Sequence, residues 1–403
     1  MQSHFAPFRD PTFNLQWLRA VGHAHAGGAE IGECLAVTRG IVDGDLSSWH
    51  TQWHAAGERL AEAAARERRA GRRANARGAY LRAANYLRTA GVFLLGSTDT
   101  IAAADCDRRQ RDCFRAAMAL GDTPAREVTI EMEGTPLHGW LFNAAADERP
   151  HPTVIINGGY DSNAEECWFF SGAAAVARGF NAVCFDGPGQ GSALLQQGVV
   201  MRPDWEVVIA HVVDLIAAQP GVDASRIALL GISLGGHLAL RAASGEPRLA
   251  ALLLDPGQHA LHEEFLTRVP PVLRTPVRRR APWAMALIGA MLRRRARHPT
   301  RGWTLRRGMQ VHGLADPLAY VEETRRYTLE GRIGDVRCPT LVCRAEHDEI
   351  GATASMAYDQ LRSTKAWIEF RADEGAGDHC EMGARSLFNE RAFAWLDLAM
   401  SKP

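Results

Sequence analysis

The 403-residue chain reads as an α/β protein: a mostly parallel, eight-stranded sheet with helices on both faces, preceded by a helical region. Three observations predict this. From Glu127 onward, short runs rich in Val, Ile, Leu and Phe alternate with helix-forming stretches, the pattern of strands joined by crossover helices. The first 125 residues are instead rich in Ala, Arg, Glu and Leu, with almost no β-branched runs. Finally, Gly231-Ile232-Ser233-Leu234-Gly235-Gly236 separates the apolar run 227–230 from the helix-forming stretch 237–243. That is a strand, a sharp turn and a helix with a serine at the apex.

The elements follow in order. Trp49, Trp53 and Leu60, then Tyr80, Leu81, Tyr86 and Leu87, recur at helical spacing. The heavily charged stretch 62–77 between them predicts a solvated helix pair turning near Gly71. Strands are expected at 128–132, 137–142, 153–156, 182–185, 227–230, 249–254, 340–343 and 367–370, the first two as a hairpin around Gly134-Thr135-Pro136. Asp204 suits the N-cap of a helix over 207–218, with Trp205 and Glu206 in its first turn. Residues 258–333 interrupt the sheet between the sixth and seventh strands. There Arg278-Arg279-Arg280 and Arg293-Arg294-Arg295, with Arg297, bracket the apolar run 281–292. The plain reading is a helix with solvated ends; contact with a membrane surface or an acidic carrier protein is the other. The expected division is a helical cap domain over 1–125, a core over 126–257 and 334–403, and a helical lid over 258–333.

The chemistry centres on Ser233. A turn this tight needs glycine on either side, and it pushes the serine oxygen into solvent beside backbone N–H groups that can receive an oxyanion. Such a serine needs a base, and the base needs an orienting acid. Asp348, in the acid-rich turn after strand seven, is the expected acid, with Glu346 and Glu349 as solvated neighbours and Asp255 as the second candidate. His379, in the glycine-rich loop after the last strand, is the expected base; His347 reads as a loop neighbour of the acid. The loop Asn157-Gly158-Gly159-Tyr160-Asp161 follows strand three and supplies the second oxyanion donor, so the expected donors are the N–H groups of Leu234 and Tyr160. Asp161 has two readings from spacing alone, a turn-stabilising residue or a substrate anchor and auxiliary acid.

Composition agrees with a globular protein. Lys plus Arg and Asp plus Glu balance at 46 each, so the net charge points to no nucleic acid. Eight cysteines stand without C-x-x-C spacing and read as reduced thiols of a cytoplasmic protein, Cys380 beside the base being a packing residue. Residues 1–10 lack a signal pattern, and no run is long and apolar enough for a membrane span. Neither metal nor organic cofactor is expected.

The string Gly158-Gly159-Tyr160-Asp161-Ser162 with Glu165-Glu166, then Phe185-Asp186-Gly187-Pro188-Gly189-Gln190-Gly191 and the serine elbow, resembles one branch of the α/β-hydrolases. That branch holds the 2,6-dihydroxypseudooxynicotine hydrolase type and the polyketide-shortening hydrolases of fungal pigment pathways. Ala79-Tyr80-Leu81-Arg82-Ala83-Ala84-Asn85-Tyr86-Leu87-Arg88 is similar to the helical segment that precedes the core there. The resemblance implies the α/β-hydrolase fold and a Ser-Asp-His triad that hydrolyses carbon–carbon bonds of β-diketone-like substrates, or esters. It also implies an acidic residue just after the oxyanion-loop glycines, where Asp161 stands in place of glutamate. The expected partner is a moderately large aromatic or polyketide-like carbonyl compound, and a homodimer is admissible. Acyl transfer or cyclisation by the same triad is the alternative, and a non-catalytic binding protein on this fold the remote one.

Overall fold

A computed structural model describes residues 7–147 and 149–401; the first six positions of the leader reading lie outside the described residues. The apolar runs become eight strands of one sheet: β1 Ala125–Met132, β2 Thr135–Phe142, β3 His151–Asn157, β4 Asn181–Phe185, β5 Val222–Ile232, β6 Ala251–Asp255, β7 Thr340–Ala345 and β8 Lys365–Phe370. Their order is β1-β2-β4-β3-β5-β6-β7-β8. The β1–β2 hairpin is antiparallel, closed by Glu133-Gly134, and β2 runs antiparallel to β4. All other pairs are parallel.

Side chains alternate across this sheet, so each strand feeds two cores. Val154, Ile156, Leu230, Leu253 and Leu341 face one layer, with Phe169, Phe170, Phe388 and Phe393. Ile155, Leu229, Leu252, Leu254 and Val342 face the other, with Trp205, Val208 and Leu238. Burial on both faces explains why the strands read as continuous apolar runs rather than alternating ones. β6 starts two residues later than its apolar run, because its ladder to β5 begins at Ala251.

The region before the sheet is helical: Pro11–Gly22, Ile31–Thr38, Leu46–Arg69, Arg73–Gly91 and Thr100–Met118. Asp10, Asp45 and Asp99 cap three of these helices by accepting backbone N–H bonds. Trp49 and Trp53 are fully buried, packed with Phe13, Phe93 and Tyr86. Leu81, Leu87 and Phe114 from the same helices join the core under the sheet.

Asp204 corrects its sequence reading. It occupies the N-cap position of the helix Trp205–Ala217, yet its side chain makes no cap. Arg202 donates Nε and Nη2 to its two oxygens at 2.8 and 2.6 Å. A bidentate, charge-assisted pair outcompetes neutral N–H donors for the carboxylate.

Residues 258–333 form the helices Leu261–Thr267, Pro271–Arg278, Pro282–Ala296, Trp303–Val311 and Pro317–Glu323 around their own apolar cluster of Leu266, Val277, Ile288 and Val321. Trp303 ties this layer to the N-terminal helices, donating Nε1 to Leu95 O at 3.0 Å and packing edge-on to Phe93. Among the described residues no helix is long and apolar enough to cross a membrane. All eight cysteines are free and buried.

Candidate active site

β5 ends in the elbow. Ser233 has φ 59° and ψ −129°, a strained conformation held by Ser233 N donating to Asp255 O at 2.6 Å. Two glycines are needed for steric reasons. A Cβ on Gly231 would collide with the carbonyl of Gly235, and one on Gly235 with the carbonyl of Asn157. The helix Leu234–Ala243 can therefore start hard against the sheet, with its N-terminus beneath the serine.

Three chain segments meet at this apex. His379 Nε2 lies 2.9 Å from Ser233 Oγ, and its Nδ1 lies 2.8 Å from Asp348 Oδ2. Asp348 Oδ1 accepts the N–H of Ile350 at 2.8 Å. Burial pushes Asp348 upward, but the His379 charge and the N–H groups of Ile350 and Gly351 bring it below its ordinary value. Burial opposes charge on His379 as well, yet Asp348 outweighs it and holds the imidazole above its ordinary value. Cys380 Sγ sits 3.4 Å from His379 Nε2, and burial pushes its thiol far up, so it stays protonated.

Asp255, the second candidate acid, is engaged elsewhere. Its Oδ2 accepts from Arg385 Nη1 at 2.5 Å, and the same nitrogen reaches Glu381 Oε2 at 3.2 Å and Cys380 O at 2.9 Å. Arg385 is stacked 3.8 Å over Phe388 and is buried with both acids. Arg385→Met therefore leaves the buried Asp255–Glu381 pair, whose carboxyls burial pushes up, without its cation under the His379 loop. The expected loss is about 3–5 kcal/mol of folding free energy, read from urea unfolding.

The loop after β3 closes over the serine. A Cβ on Gly159 would come within 2.8 Å of Ser233 Cβ. Among the described residues, no acceptor takes the N–H of Tyr160 or Leu234. Sequence reasoning missed what holds this loop. Gln190 Nε2 donates to the carbonyls of Gly158 and Gly159 at 2.6 and 2.9 Å, while its Oε1 accepts from Gly187 N. Asp186 binds Ala164 N, Ser192 N and Ser192 Oγ, anchoring the neighbouring turn. The signal was there in the 185–191 string, but a clamp across two loops has no local spacing.

Asp161 is buried between two guanidiniums, accepting from Arg19 Nη1 at 3.0 Å and Arg307 Nη1 at 2.7 Å, while Arg88 donates to its backbone carbonyl. Burial alone would raise its pKa, but Arg19, Arg307 and Arg88 hold the carboxyl well below the usual range. Arg19 also grips Glu166 through Nε and Nη2 at 2.7 and 2.5 Å. The Tyr160 hydroxyl bonds to Tyr320 and His312 at 3.1 Å each, which joins the loop to residues 303–323.

A cavity of about 350 Å³ opens at Ser233 and His379. Gln16 and Arg19 from the first helix, Phe170, Gln258, Glu264, Trp303 and Arg307 complete much of its wall. Phe170 comes from a single π-helical turn, Trp168–Gly172. Three buried oxygens on this wall have no partner among the described residues: Gln16 Oε1, Gln258 Oε1 and Glu264 Oε2. Glu264 Oε1 accepts from Thr353 N and Oγ1, and burial pushes the Glu264 carboxyl up to about 6. These residues carried no sequence signal, being far from the elbow in the chain. Among the described residues, no group of His, Cys, Asp and Glu is arranged to hold a metal ion.

Comparison with known proteins agrees with this architecture. Residues 153–390 match the model of the alpha/beta hydrolase family. The chain is 32% identical to the 20-hydroxy-prefusarin hydrolase FUS2 of Gibberella moniliformis and 30% identical to the hydrolase LUC6 of a Fusarium species, over 97% of this chain and 97% of each relative. In fold it is similar to the crystal structure of 2,6-dihydroxy-pseudo-oxynicotine hydrolase, with TM-score 0.75 and 21% identity over 94% of this chain and 95% of that one. A serine elbow on a mostly parallel eight-stranded sheet, in a chain matched over 97% of its length by hydrolases, makes this chain an enzyme of the α/β-hydrolase family, in the branch of these fungal hydrolases.

Proposed function

We propose that Ser233, His379 and Asp348 form a catalytic triad that hydrolyses a carbonyl compound through an acyl-enzyme. The observation that carries this reading is the continuous hydrogen-bonded series from Ser233 Oγ to Asp348, with Ser233 and His379 lining the cavity. His379 takes the Ser233 proton as the oxygen attacks the carbonyl carbon. The oxyanion receives the N–H groups of Leu234 and Tyr160. On collapse, His379 returns the proton to the leaving group, an alcohol or the carbon of an enolate. Water, deprotonated by the same histidine, then releases the acid. Asp161 acts as a positioning residue: an anion tied by two arginines cannot donate a proton, but it keeps Tyr160 and its N–H in line.

The substrate we infer is a hydroxylated aromatic or polyketide-like ketone or ester. About 350 Å³ suits a ligand of that size. The unpartnered oxygens of Gln16, Gln258 and Glu264 are acceptors, and hydroxyl groups are the donors they would take. The relative FUS2 is named for a hydroxylated substrate. Residues 258–333 serve as the lid over this pocket, supplying Glu264, Trp303 and Arg307.

The test is intact-protein mass after a fluorophosphonate, with a panel of hydroxylated β-diketones and aryl esters. Labelling with β-diketone turnover supports carbon–carbon hydrolysis, and ester turnover alone reduces the reading to an esterase. An unlabelled protein refutes the serine mechanism.

The pH dependence has a definite sign. His379 works as a base only when neutral, and Asp348 stabilises its charged form, so the proton stays on to higher pH than in free imidazole. kcat/KM is expected to fall as pH drops, with a midpoint above the ordinary histidine value. A pH–rate profile with its acid limb below that value would contradict the assignment.

A further inference from the structure

The helix Pro282–Ala296 is apolar on its inner side and again on its outer side. Ala284, Ile288 and Leu292 are buried against the rest of the 258–333 layer. Trp283, Leu287 and Met291, spaced by four, point outward and are 59%, 45% and 47% exposed. Ala290 lies in the same stripe and Arg294 continues it, both exposed. A helix that is apolar all round is normally covered all round. This one is covered on one side only.

Charge indicates what covers the other side. Residues 258–333 hold fifteen arginines, no lysine and six carboxylates, an excess of nine positive charges. The chain as a whole balances at 46 and 46, so the remainder carries nine negative charges in excess. Arg278, Arg280 and Arg293 spend their charge on Glu263, Glu322 and Asp316. Arg279, Arg294, Arg297 and Arg301 are exposed and have no carboxylate partner among the described residues. Arginine is the side chain that grips phosphate bidentately.

A second copy of the chain fits this face poorly. Packed antiparallel, two such helices would bring the unpaired Arg294 and Arg297 of one copy toward the unpaired Arg279 of the other. Packed parallel, each cluster would meet itself. An exposed tryptophan and aliphatic stripe beside unpaired arginines, on a fifteen-residue helix too short to span a bilayer, is the pattern of a helix lying in a lipid interface.

We infer that the outer face of Pro282–Ala296 docks on an anionic phospholipid surface. The excess negative charge of the remaining chain would be repelled, which orients the molecule with this layer down. Arg295 of the same helix lines the cavity at Ser233, so docking sets the pocket wall against the reservoir of apolar compounds in the bilayer. The docking itself stands without the proposed chemistry; only its use for substrate uptake rests on that reading.

The experiment is co-sedimentation of the full chain with sucrose-loaded vesicles of phosphatidylcholine alone, or of an equal mixture with phosphatidylglycerol. The chain is expected to pellet with the mixed vesicles and not with the neutral ones, and to be released by added salt. Arg294→Gln should lower the partition coefficient roughly fivefold. Trp283→Ser and Leu287→Ser should each lower it further, with unchanged melting temperatures showing that the variants are folded. Ser233→Ala should pellet like the parent, so failure of the triad reading and failure of docking are separate results. Equal partition into both vesicles, no pelleting, or pelleting unaffected by all three face variants would overturn the inference. Binding to polyglutamate without vesicle binding would assign the face to an acidic polypeptide instead. A dimer that Trp283→Ser converts to monomer in sedimentation velocity would assign it to a second copy.

Discussion

Ser233→Ala is expected to lower kcat on the order of a millionfold, about 8 kcal/mol of transition-state stabilisation, while leaving the fold intact. The elbow is the reason both halves hold. Ser233 takes its strained backbone from Gly231 and Gly235 and from its bond to Asp255 O, none of which involves the hydroxyl. Removing Oγ deletes the proposed nucleophile but leaves the N–H groups of Leu234 and Tyr160 where they were. Residual turnover above the uncatalysed rate then measures what those donors and the pocket contribute on their own. The check pairs steady-state kinetics with fluorophosphonate labelling of parent and variant. A variant that keeps more than about one hundredth of the parent activity would refute the nucleophile assignment.

Asp348→Asn comes second, with an expected loss on the order of ten thousandfold in kcat. The amide is nearly isosteric, but its NH₂ cannot accept the Nδ1–H of His379, so the imidazole is driven to the wrong tautomer. Asp348 is also the charge that raises the His379 pKa against burial. Its loss leaves burial opposed only by the weaker pull of Asp255, so the acid limb of the pH profile should move to lower pH as the rate falls. A merely structural role would change the rate without that shift. If the proposed triad of Ser233, His379 and Asp348 works as a unit, adding Asp348→Asn to Ser233→Ala should cost little more than Ser233→Ala alone. Full additivity would place Asp348 outside the triad.

Local sequence carried far in the sheet and less far in the pocket. The eight strands and the serine turn were legible because apolar runs and glycine sterics act over a few residues. Asp204 was misassigned because N-cap preference says nothing of Arg202 competing for the same carboxylate. Asp161 stayed open for a similar reason: its state depends on Arg19, Arg88 and Arg307, drawn from three distant segments. Glu264 and Gln16 gave no pattern at all, since a lone acid or amide in a helix becomes special only when burial strips away its partners.

The sequence by itself determined the sheet, the elbow at Ser233 and the family to which the chain belongs. Each of these rests on short-range rules, namely strand hydrophobicity, turn sterics and motif spacing. Only the tertiary structure decided that His379 reaches both Ser233 and Asp348, that Asp255 is spent on Arg385, and that Gln190 clamps the loop after β3. Those outcomes depend on which polar groups meet once water is excluded. There a partner's identity and distance outweigh any local preference by several kcal/mol.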